Sequence, residues 1–95
     1  MKTTKEYLHP SGDECDVLFE RRNTPPAVVE VKVGLLGEVV KGVYQAIKYR
    51  ALLSAERGQG EPFEVDAHLV AHAIPPAVRA LASKHNVETH IIPRL

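Results

Sequence analysis

An α/β fold built on a mixed sheet is what this sequence predicts, and three patterns predict it. Short β-rich runs occupy the first third, a long stretch of helical period follows, and the remainder alternates strand, helix and strand. Helices that each carry the chain from one strand to the next imply parallel neighbours, whereas the turn-linked strands before them imply a meander. The expected order is therefore β-β-β-α-β-α-β.

Taken in order, Glu6-Tyr7-Leu8-His9 is a weak first strand, closed by the turn signal Pro10-Ser11-Gly12-Asp13. Asp16-Val17-Leu18-Phe19-Glu20 follows as the second. A polar loop from Arg21 to Pro26 separates it from a third strand, Ala27 to Val33, which starts after the prolines because proline cannot donate to a ladder. Beyond Gly34 and Gly37 the period changes. Val39, Val40, Val43, Ile47 and Ala51 recur at helical spacing, so a helix is expected from about Glu38 to Arg57, ended by Gly58-Gln59-Gly60. Val65 to Ala73 reads as an apolar strand. Pro75-Pro76 then opens a helix over Ala77 to His85, proline suiting a first turn, and Asn86 is a left-handed stop before the last strand, Val87 to Ile92.

Composition bounds the function classes. With 95 residues, 44% hydrophobic and 25% charged, the chain matches one average soluble globular domain spanning residues 1–95. No apolar run approaches the roughly 20 residues of a membrane span, and Met1 to Glu6 lacks a signal-peptide core, so a cytoplasmic protein is expected. Cys15 is the single cysteine and has no internal partner for a disulfide. The formal net charge is zero, so any nucleic-acid contact has to come from a local patch rather than a general basic excess.

The most informative segment is Val28-Val29-Glu30-Val31-Lys32. Side chains alternate along a strand, which sets Glu30 and Lys32 on one face and Val29, Val31 and Val33 on the other. Holding an acid and a base on an apolar strand costs free energy unless something uses them. Asp16, at the head of the preceding strand, is placed to lie across from them. Two carboxylates and a lysine so arranged suit a magnesium ion and a phosphate. Asp13 and Glu14 lie close by; Asp16 is preferred because it directly precedes the apolar run.

Asp16, then Glu30-Val31-Lys32, then Gln45-Ala46-Ile47-Lys48-Tyr49 in the following helix, together resemble the PD-(D/E)XK, or restriction-endonuclease-like, nuclease superfamily. The Gln-x-x-x-Tyr pair is similar to that of its RecB and lambda-exonuclease branch. The match covers most of the chain from residue 12 onward. It implies a mixed five-stranded sheet with flanking helices and metal-dependent hydrolysis of DNA. By the same resemblance Asp16 and Glu30 hold magnesium or manganese, Lys32 is catalytic, and Gln45 and Tyr49 support it. Lys41, Gln45 and Tyr49, spaced by four, are expected on one helix face opposite much of the valine and isoleucine stripe, with Lys41 toward nucleic acid. Two departures stand out. The superfamily's amino-terminal core helix is missing, and Cys15 stands where the family name has proline. These leave room for a homo-oligomer, for a segment supplied by a larger protein, and for an alternative function as a noncatalytic nucleic-acid-binding or assembly module of the same fold.

Other residues carry weaker signals. His68 and His72 are four apart, but in a strand that is about 13 Å, too far for one metal ion. His85 and His90 flank a turn and read as surface or capping residues. Cys15 reads as packing, since no histidine partner is identifiable. Arg21, Arg22, Lys41, Lys48 and Arg50 are candidates to line a nucleic-acid groove, of which only Lys41 is singled out and the others read as solvated. Gly34-Leu35-Leu36-Gly37 lacks the lysine and spacing of a P-loop.

Overall fold

The computed structural model describes the backbone at residues 2–8, 14–20, 23–32, 36–59, 61 and 63–93, and the side chains there except at 2, 6–8, 14–16 and 36. Five strands and two helices follow the expected order: β1 (Lys2–Leu8), β2 (Glu14–Glu20), β3 (Ala27–Lys32), α1 (Leu36–Gly58), β4 (Asp66–Ala71), α2 (Pro76–Lys84) and β5 (Val87–Ile91). One sheet holds all five strands in the order β1-β2-β3-β4-β5. The first two pairings are antiparallel and the last two parallel, as a meander followed by two crossover helices requires.

The first strand is longer than its sequence signal. Lys2-Thr3-Thr4-Lys5 shows no apolar alternation, yet it pairs with β2 from Lys2↔Glu20 to Leu8↔Glu14. Its pairing partner, not its propensity, makes it a strand, and the exposed Lys5 suits a sheet edge that must resist further pairing.

The core lies between the sheet and α1. Val39, Val43, Ala46 and Leu53 of α1 meet Leu18 of β2, Val28 of β3, and Ala67, Leu69 and Ala71 of β4. Val78 and Ala82 of α2 and Val87 of β5 extend the same cluster. Pro76 occupies the first turn of α2, and two residues past the helix end Asn86 turns the chain at φ 56°, a conformation asparagine tolerates better than most residues. Among the described residues just after α1, Gln59 takes the left-handed conformation, at φ 48°.

Polar ties also fix the helices. Arg57 near the end of α1 pairs with Glu20 of β2 at 2.8 Å. Ser54 donates to the Phe63 carbonyl at 2.6 Å. Arg50, read from sequence as solvated, is structural instead: its guanidinium donates to the carbonyls of His85 at 2.7 Å and Asn86 at 2.9 Å. These are orphan acceptors just past the end of α2, and a planar two-pronged donor from α1 satisfies both. Arg50→Ala is expected to lower stability by about 1–2 kcal/mol in urea denaturation. Arg50→Lys should recover only part of that loss, because one ammonium cannot reproduce the fork. Full recovery by lysine would show that charge alone matters.

Candidate functional site

Strand β3 divides its side chains between two environments. Val28 and Glu30 are buried under α1, while Val31, on the opposite face, is 44% exposed. Glu30 is only 1% exposed, the buried charged side chain among the described residues. Its backbone neighbour across the parallel ladder is Leu69. An ionised carboxylate in such a place has to be offset by nearby positive charge or hydrogen bonds.

Lys32, the next residue on the Glu30 face, is half-buried and runs beneath α1 at Gly42. A methyl group at position 42 would stand 2.9 Å from Lys32 Cγ and 2.7 Å from Leu69 Cδ1. Glycine is therefore required there for close approach of helix and strand. Nothing in the sequence marked Gly42 beforehand, since a glycine inside a helical pattern looks only like a weak spot.

One turn on, Gln45 is half-buried and its Oε1 is buried with no hydrogen-bond partner among the described residues. Tyr49 is 8% exposed and belongs to the core with Val43, Ala46 and Leu53, whereas Lys41 is exposed. The expected common face opposite the apolar stripe is thus corrected. Four-residue steps drift by roughly 40° each around a helix of 3.6 residues per turn, so the row winds from solvent at Lys41 into the core at Tyr49.

Asp16 is on β2, next to Val17, and Val17 pairs with Val29, the neighbour of Glu30. The side chains of Asp16 and Cys15, like Asp13, Arg21, Arg22 and the Gly34-Leu35 segment, lie outside the described residues. The donors described on this side of the sheet are a buried carboxylate and a buried, unpartnered amide oxygen. Both are hard oxygen ligands, a set that fits magnesium or manganese.

The other side of the sheet carries a second group. His68 pairs across the ladder with Glu88, and Val70 with His90, so the three polar side chains converge on the face away from α1. His68 Nδ1 lies 3.0 Å from His90 Nε2 and 3.4 Å from Glu88 Oε2, and the two rings stack at 5.2 Å. His90, expected as a surface or capping residue, is part of this cluster. His72 is not: its Nδ1 meets the Ile92 carbonyl at 2.8 Å. The three residues line a concavity of about 450 Å³ with Phe19, Ala27 and Val29.

The fold is similar to that of a repair endonuclease. The crystal structure of a repair endonuclease from Pyrococcus abyssi superimposes with a TM-score of 0.69, at 21% sequence identity, over 95% of this chain. This chain spans 37% of that protein's length. No protein-family model and no curated protein sequence matches the chain. At this identity the likeness to the repair endonuclease is one of fold, and it agrees with the mixed sheet and strand order described above.

Gly42 offers a direct test of the close approach. Alanine raises helix propensity by up to about 1 kcal/mol, but overpacking against Leu69 and the stem of Lys32 costs about 1–3 kcal/mol. Gly42→Ala is expected to lower the urea midpoint, a net loss of about 1 kcal/mol. An unchanged or raised midpoint would show that β3 and α1 separate freely.

Proposed function

We propose that the chain is a PD-(D/E)XK nuclease-like domain that hydrolyses DNA phosphodiesters with a divalent metal. The observation that supports this best is Glu30, buried to 1% exposure on the face that also carries Lys32, beneath a helix whose Gln45 amide oxygen is buried with no partner among the described residues. A protein gains no stability from such a set compared with apolar side chains of similar size. It does gain a polar, water-poor site in which charge developing on a phosphate is strongly felt.

Asp16 and Glu30 would hold magnesium or manganese, with Gln45 a further oxygen donor within α1. The bound ion supplies Lewis acidity and a lowered pKa for a water ligand. Lys32 places its ammonium toward the scissile phosphate, where it offsets negative charge in the transition state; the packing of its stem beneath Gly42 limits where that ammonium can reach. Tyr49 acts from the core, holding the register of α1 over the sheet. Lys41, on the exposed side of α1, is a candidate phosphate contact.

Glu30→Gln and Lys32→Ala should each reduce magnesium-dependent cleavage of DNA by about 100-fold or more, with circular dichroism and urea midpoint close to wild type. Loss of folding instead of activity would assign the pair a structural role. EDTA should abolish cleavage and manganese restore it. Should the wild-type chain bind DNA with a steep salt dependence but never cleave it, with or without metal, the nuclease reading fails in favour of a noncatalytic binding module.

A further inference from the structure

The histidine and glutamate cluster lies on the opposite face of the sheet from Glu30 and Lys32, so it cannot serve the same phosphate. We infer that His68, Glu88 and His90 form a second metal site, specific for a late first-row transition ion such as zinc rather than for magnesium.

Three observations carry this. First, the spacing fits. A zinc ion about 2.0–2.1 Å from each donor sets tetrahedral ligand atoms roughly 3.3 Å apart. The three donor separations here are 3.0 Å for His68 Nδ1 to His90 Nε2, 3.4 Å for His68 Nδ1 to Glu88 Oε2 and 3.9 Å for His90 Nε2 to Glu88 Oε2. They bracket that edge without any backbone movement.

Second, the ligands stand on a rigid frame. His68 and Glu88 are direct partners in a parallel ladder, and His90 is the next residue on the same face of β5. The ladder continues past them to Ile92, whose amide donates to the Ala71 carbonyl at 2.9 Å. Sites built on strands hold their geometry better than sites on loops. The stacked imidazoles already share one hydrogen bond between ring nitrogens, so metal binding replaces a single shared proton with an ion.

Third, the donor chemistry selects the ion. Two imidazoles and one carboxylate suit zinc, cobalt, nickel or iron, whereas magnesium prefers oxygen ligands and water. Three protein ligands leave a fourth position for water or an anionic group. The same three residues line the concavity on this face, where Phe19, Ala27, Val29 and Val70 supply an apolar wall. The site would thus join β4 to β5 and present an open coordination position in a groove.

The test is calorimetric titration of the whole chain with zinc, in buffer containing excess magnesium to saturate oxygen-only sites. One equivalent is expected to bind, raise the melting temperature saturably, and be replaced by cobalt with the intense visible absorption of a tetrahedral centre. His68→Ala and His90→Ala should each weaken zinc binding by more than about 100-fold, since loss of even an outer-shell partner costs 10–100-fold. Glu30→Gln should leave it unchanged. Absence of zinc binding in the wild type would reduce the cluster to a hydrogen-bonded histidine pair and overturn the proposal. So would zinc affinity that survives both histidine substitutions, or that disappears with Glu30→Gln. None of these outcomes depends on whether the chain cleaves DNA.

Discussion

A carboxylate almost wholly removed from water on the third strand, Glu30, sets the terms for the rest of this structure. Burying an ionisable group is expensive, and the cost is tolerable only where neighbouring elements are fixed well enough to supply compensating contacts. Here α1 is that element. Its apolar residues Val39, Val43, Ala46 and Leu53 anchor it over β2, β3 and β4. Gly42 lets it descend onto Lys32 and Leu69, and its far end is held by the Arg57–Glu20 ion pair. Hydrophobic burial thus supplies the stability, and part of that stability is given up to keep polar groups beneath the helix.

The two faces of the sheet have consequently taken on different chemistry. Toward α1 the strands present small and branched apolar residues around oxygen donors, a dry environment in which electrostatic interactions are strong. Away from it, Phe19, Val29 and Val70 line a concavity together with the histidine and glutamate cluster. Alternation along a strand makes this division automatic: every residue moved by one position changes face. Glu30 and Val31, or Leu69 and His68, are adjacent in the chain yet lie on opposite faces of the sheet. No helix of the described residues is long and apolar enough to cross a membrane.

Much of the architecture was legible because periodicity reports burial directly. The valines of the third strand, the 3.6-residue stripe of α1, Pro76 at a helix start and Asn86 at a helix end all carry local signals, and the elements formed within a few residues of where those signals lay. The first strand was legible only in part, because an edge strand takes its conformation from its neighbour. The role of Arg50 was hidden for a related reason: its partners are carbonyls of residues 85 and 86, 35 and 36 positions away, which no local pattern links to it.

The sequence by itself determined the order of elements, the mixed character of the sheet, and the shared strand face of Glu30 and Lys32, since each follows from short-range geometry of the backbone. Tertiary structure alone decided which face of β3 lies beneath α1, that Gly42 is a point of contact, that Gln45 and Tyr49 wind inward while Lys41 does not, and that His68 meets Glu88 and His90. The last of these depends on the register between two parallel strands joined by a helix. Register is set by how whole layers pack, and a chain read one segment at a time carries no record of it.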